Sequence, residues 1–304
     1  MSKKENVLVT GASGFIGARL CDTLLRNDLK VYGMYHANQD RIKTLKKNKN
    51  FQAVCQNIAD AASMNRLMKK IKPKAVFHAA AYVAEEKNPQ PFFTTNVIGT
   101  LNILEACRLN NVRTIIHSSS MSVYGNKPKY LPVDERHPLQ PYDFYSLSKK
   151  TAEDICDFYA KNHNINIIVL RYSGVFGQGR DSGAVAHFIK SALLQKPLSI
   201  QNNINWDIID VNDVAEANFQ AYKQAEKLQY ELINIGRGQE INIIDLAKKI
   251  IVMTQSKSQL TISPLCEKNP YRFYFDITKA KKLLHFKPEN LNACLKRYID
   301  FLAI

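Results

Sequence analysis

The stretch Val7 to Leu20, VLVTGASGFIGARL, constrains the fold more than any other in the chain. A β-branched and aliphatic run, "NVLVT", stops at Gly11; glycines recur at 14 and 17; and the apolar residues that follow are spaced for a helix. Glycines at this spacing, after a strand and at the opening of a helix, let the backbone turn tightly and approach a pyrophosphate, which then sits against the helix N-terminus. The pattern predicts dinucleotide binding by Gly11, Ser13, Gly14, Phe15, Ile16 and Gly17.

Further apolar runs of strand length follow: "KVYGMY" (30–35), "FQAVC" (51–55), "KAVFHAA" (74–80), "VRTIIHSSS" (112–120) and "INIIVLRY" (165–172), with helical patterns between them. Strands apolar on both faces and joined by helices make a parallel sheet covered on both sides. The expectation is an α/β chain: a Rossmann-type doubly wound parallel sheet over residues 1–175, and a smaller C-terminal substrate-binding lobe over 176–304. Later strands near 206–235 should return to the sheet. Helices are expected at 182–195, 212–226, 243–254 and 290–302.

An excess of 42 Lys and Arg over 27 Asp and Glu gives a net charge of +15, so the protein should attract anions. The basic residues are scattered along helices such as 41–49 and 69–74 without interleaved aromatics, which fits solvated faces and anionic small molecules rather than nucleic acid. Cys21, Cys55, Cys107, Cys156, Cys266 and Cys294 stand singly, so neither a metal site nor a disulfide framework is expected. No run reaches membrane-spanning length and no signal-peptide core precedes the first strand, which suggests a cytoplasmic protein.

"DFYSLSKKTAED" places Tyr145 four residues before Lys149 at the start of a helix, one turn apart on one face. A cation that close should favour the phenolate and lower the tyrosine pKa, activating it as an acid/base. At the end of the second strand, where an acid would accept from the ribose 2′-OH of NAD, the chain reads Tyr35-His36, with Arg41 close behind and no acid before Asp40. NADP is therefore favoured over NAD, with His36 and Arg41 facing the 2′-phosphate.

Six ordered motifs carry a family resemblance: the glycine loop, "HAAA" (78–81), "TNVIGTLNILEAC" (95–107), "HSSSMSVYG" (117–125), Tyr145/Lys149 and "RYSGVFGQG" (171–179). Together they resemble the extended short-chain dehydrogenase/reductases, in the subgroup of nucleotide-sugar epimerases and reductases related to UDP-galactose 4-epimerase. The resemblance implies that Tyr145 is the acid/base, that Lys149 lowers its pKa and holds the nicotinamide ribose, and that Ser120 hydrogen-bonds the reacting oxygen. Ser118 and Ser119 are expected to make local hydrogen bonds at the strand end, with Ser118 beside the cofactor. It further implies that Ala79, Ala80 and Ala81 pass over the pyrophosphate, that Asn57 and Ile58 lie near adenine, that Asn96 is a structural support, and that Tyr172 belongs with the cofactor set. Arg272 would clamp a sugar-nucleotide diphosphate. A homodimer through helices near 98–110 and 145–162 is implied as well.

Two positions depart from the family pattern on the substrate side: Trp206 stands where an arginine of "RDF" is usual, and Gly174 where an asparagine is usual. Ser120-Met121-Ser122 lacks the Thr-Asp-Glu of the 4,6-dehydratases. The absent acid after the second strand favours a 4-keto reductase that uses NADPH. The alternatives are a 4-epimerase that retains NAD, and a non-catalytic relative that serves as a cofactor-sensing or protein-binding module.

Overall fold

The computed structural model describes residues 4–84, 87–263 and 271–303; Cys266 lies outside them. In chain order the strands are β1 (Asn6–Thr10), β2 (Lys30–Tyr35), β3 (Phe51–Cys55), β4 (Ala75–His78), β5 (Thr114–Ser120), β6 (Asn166–Tyr172), β7 (Gly174–Phe176), β8 (Leu198–Ile200), β9 (Ile204–Asp210), β10 (Tyr230–Ile235), β11 (Glu240–Asn242), β12 (Leu260–Ile262) and β13 (Tyr271–Phe273). The helices are α1 (Phe15–Arg26), α2 (Ala61–Ile71), α3 (Gln90–Phe92), α4 (Gly99–Leu109), α5 (Phe144–His163), α6 (Ala184–Leu193), α7 (Val211–Leu228), α8 (Ile243–Met253), α9 (Thr278–Leu284) and α10 (Leu291–Leu302).

Seven strands form one parallel sheet in the order β10-β6-β5-β4-β1-β2-β3. The chain winds outward from β1 in both directions, so the order reverses between β1 and β4, and a crevice opens at their C-terminal ends. Apolar residues on both faces of the strands account for this. Val7, Val9, Phe77 and Ile168 pack beneath α1 and α7, while Leu8, Val76, Ile115 and Ile167 pack on the opposite side beneath α2, α4 and α5.

One expectation changes. The strand foreseen near 206–211 forms as β9 but does not return to the large sheet: it pairs with β7, β11 and β13 in a small separate sheet, and β10 is the later strand that joins the main one. β9 registers against segments far away in sequence, which strand pattern does not encode. A third core, built on Phe188, Ile189, Leu246, Leu295 and Tyr298, holds this lobe together. No helix among the described residues is long and apolar enough to cross a membrane.

Helix ends position the crevice. α5 begins with a reciprocal cap: Asp143 accepts from the Ser146 N–H at 2.7 Å, and the Ser146 hydroxyl accepts from the Asp143 N–H at 3.1 Å. α1 has no side-chain cap, because Gly14 stands there, and its first N–H groups are left open at the crevice. Between α3 and α4 the helix widens into a π-turn over Phe93–Ile98, which carries Asn96 inward.

Candidate active site

A cleft of about 560 Å³ lies over the switch point, between the start of α1, the ends of β4 and β5, α5, and the segment after β6. Its glycine wall is built by contact. Gly11 has φ of 66°, and a Cβ there would lie 2.7 Å from the Ala80 backbone; a Cβ on Gly17 would lie 2.1 Å from the Gly11 carbonyl oxygen. Gly14 donates to that same carbonyl at 2.9 Å, yet a Cβ on it would touch only this atom, at 3.1 Å. The outer glycines thus close the turn, and the middle one leaves room for a ligand. Gly14, Phe15, Ile16 and Gly17 line the cleft; Ala79 and Ala81 face them, whereas Ala80 is held down by its N–H to Thr10 Oγ1 at 3.2 Å.

Ser120, Tyr145 and Lys149 come together on the opposite wall. Burial raises the Tyr145 pKa above its ordinary value, and the Ser120 hydroxyl, its hydrogen-bond partner, pulls it back in part. The expected lowering by Lys149 does not occur. The cation that acts on Tyr145 is Arg180, while the Lys149 ammonium turns to the Ser118 carbonyl at 2.5 Å. Lys149 is buried, which brings its pKa down to about 8 against an opposing pull from Glu153. Arg180 escaped the sequence reading: "FGQGRDSG" reads as a loop, and nothing in its spacing shows that it folds back over α1, its guanidinium 5.8 Å from the Phe15 ring.

The serines below Ser120 are not locally bonded as expected. Ser118 Oγ pairs with the Tyr172 hydroxyl at 3.1 Å, and Ser119 Oγ donates to Glu153 at 2.5 Å. Glu153 in turn holds Arg171 through two bonds of 2.9 and 2.6 Å, both side chains fully enclosed. Tyr172, Ser118 and Ser119 line the floor of the cleft. Beneath Lys149, His78 and His117 face each other at 5.2 Å on paired strands, and burial keeps both neutral.

Other expected residues fall less evenly. Asn96 exchanges hydrogen bonds with the Tyr82 backbone and bonds Ser148, pinning the alanine loop to α5. Arg41 lines the cleft, but its guanidinium is engaged by the Gly179 carbonyl at 3.0 Å and by Asp181 at 3.5 Å. His36 lies outside the cleft lining. So do Asn57, whose side chain caps Ala59 N–H at 2.9 Å, and Ile58, which is buried under Gly99. Arg272 also lies elsewhere, paired with Glu240 at 2.5 Å. Local sequence does not reveal the contacts these four make. Among the described residues, no three His, Cys, Asp or Glu side chains group as a metal site.

The model of the NAD dependent epimerase/dehydratase family matches residues 7–236. The chain belongs to this family. It is 31% identical to a UDP-glucuronate 4-epimerase of Thermodesulfobacterium geofontis, over 97% of this chain and 95% of that protein. A UDP-glucuronic acid 4-epimerase of Bacillus cereus, solved with UDP-glucuronic acid and NAD, superposes with a TM-score of 0.88 at 30% identity, covering 98% of each chain. A UDP-glucose 4-epimerase of Thermotoga maritima, solved with UDP-glucose, superposes with a TM-score of 0.88 at 28% identity, covering 97% of this chain and 98% of that one. The sheet order and its flanking helices are those expected of this fold.

Proposed function

We propose that the protein is a UDP-sugar 4-epimerase that retains NAD, the alternative to the NADPH-dependent reductase that the second strand end favoured. The observation that carries this reading is the convergence of Ser120, Tyr145 and Lys149 on one cleft whose far wall is the glycine loop. The relatives named above support the epimerase side, and two of them act on or hold UDP-glucuronic acid. The ties of Arg41 to Gly179 and Asp181, and the place of His36 outside the cleft lining, favour NAD in this reading.

The residues present fit a dinucleotide: Gly14 leaves the approach open, and the uncapped start of α1 offers N–H groups to a pyrophosphate. Bound there, the nicotinamide ring supplies the acceptor and donor of hydride. Tyr145 takes the proton of the sugar hydroxyl as the carbon is oxidised and returns it on reduction. Ser120 holds the same oxygen, and Lys149 is the residue that would hold the ribose. Inversion requires the keto sugar to turn over, and Tyr145 also borders a second chamber of about 540 Å³, walled by Phe92, Pro141, Tyr142 and Phe144, that adjoins the cleft. The site would keep both products close.

The test is NMR of UDP-glucose and UDP-glucuronic acid incubated with the purified protein and catalytic NAD. The C4 epimer should form with no net change in reduced nicotinamide. Stoichiometric consumption of NADPH by a 4-keto sugar, with no epimer formed from either substrate, is the result that restores the reductase.

A further inference from the structure

Gly174 and Trp206, the two substrate-side departures from the family pattern, touch each other. A Cβ on Gly174 would lie 2.8 Å from the indole Nε1 and 3.0 Å from Cδ1, so the tryptophan occupies the space that a side chain at 174 would need. β9 holds the ring in place: Trp206 registers between Ile241 of β11 and Phe273 of β13. The half-buried indole helps line a hollow of about 100 Å³ whose other walls are mostly apolar, among them Phe176, Val185, Ile208 and Tyr298. Gly174, Val175, Arg180 and Ser182 line both this hollow and the main cleft, so the two adjoin. Arg180 thus stands at the junction, its guanidinium donating to the Val175 carbonyl at 2.7 Å and the Ser182 carbonyl at 3.1 Å, with the indole beyond it.

An arginine followed by an apolar hollow with an indole wall suits a diphosphate that carries a flat, uncharged aromatic ring. We propose that Gly174 and Trp206 act as one recognition element, in which the indole is the platform for the nucleobase of the substrate. Stacking there takes over what the usual basic residue contributes by charge. The inference rests on the sugar-nucleotide reading above and specifies which end of that substrate Trp206 meets.

Trp206 is the chain's single tryptophan, so its emission reports on this hollow alone. UDP should quench or shift that emission, and inorganic pyrophosphate, which lacks a base, should not. By calorimetry, Trp206→Ala should bind UDP about tenfold more weakly or worse, with pyrophosphate affinity unchanged and Trp206→Phe in between. Gly174→Ala should displace the ring and weaken UDP comparably, and the double variant should be no worse than Trp206→Ala. Retained NAD binding in each variant certifies its fold. UDP binding without a change in emission, an equal response to pyrophosphate, or additive losses in the double variant each overturn this proposal and leave the sugar-nucleotide reading standing. Failure of the wild type to bind UDP at all removes both.

Discussion

Burial holds Tyr145 as a phenol by raising its pKa, and the cation that pulls it partly back is Arg180 rather than Lys149. The oxidation proposed above needs the phenolate, so the Tyr145 hydroxyl must lose its proton before it takes that of the sugar. Tyr145→Phe removes only that hydroxyl, and kcat should fall by about a hundredfold or more with dinucleotide affinity nearly unchanged; steady-state rates beside calorimetry separate the two. The glycines divide in the same way between chemistry and construction. Gly14→Val should fold with the wild-type melting temperature yet fail to bind the dinucleotide, since its side chain projects where the ligand must approach. Gly17→Ala should instead lower thermal stability, by about 2 kcal/mol or more, because its Cβ would land 2.1 Å from a backbone oxygen. Equal melting temperatures for these two variants would contradict the division.

Elements meet beneath the site through groups that have no contact with solvent. Glu153 of α5 and Arg171 of β6 fix the helix that carries Tyr145 and Lys149 against the sheet. Glu153→Gln leaves the buried guanidinium uncompensated, and denaturant unfolding should show a loss of about 3–5 kcal/mol. On β4 and β5, His78 sits between the hydroxyls of Thr10 and Thr100, while neither ring nitrogen of His117 has a partner; Lys149 is the cation near both. The folded pKa of His78 is held down to about 3, and that of His117 is also far below its ordinary 6.5. Below pH 6.5 the unfolded chain therefore binds protons that the folded chain refuses. Stability is present above that pH and is lost as pH falls, by about 1.4 kcal/mol per pH unit for each histidine. Unfolding free energies measured from pH 7 to pH 5 should show this slope, and His117→Phe should flatten it. A slope unchanged by the substitution would remove His117 from the explanation.

The molecule as a whole leaves apolar surface where two long helices run side by side. Leu109 of α4 and Phe158 of α5 are 52% and 57% exposed. Covering this face with the same face of a second copy is the dimer that the family resemblance implies, and it would brace the helix that carries Tyr145 and Lys149. Phe158→Lys, far along α5 from Tyr145, should shift the protein to a monomer by light scattering after gel filtration. A wild-type monomer would dispose of the dimer.

The alternating strands and helices, the glycine loop and the Tyr145–Lys149 pair were legible in the chain, because each rests on a short-range rule: side-chain period, steric freedom at glycine, or one turn of a helix. The sheet formed where those rules placed it, and Ser120, Tyr145 and Lys149 converged at its C-terminal edge. What the rules could not reach were contacts between distant segments. Arg41 meets a carbonyl 138 residues away, Arg272 is spent on Glu240 across the small sheet, and β9 joins a sheet that no periodicity announced. The tyrosine pKa belongs here too: spacing predicted the direction set by a neighbouring charge, but burial, which exists only once the cleft has assembled, set the opposite one. Gly174 and Trp206, 32 positions apart and each an isolated departure in the sequence, became one feature only when β7 and β9 paired, because what couples them is excluded volume, and volume is shared only in three dimensions.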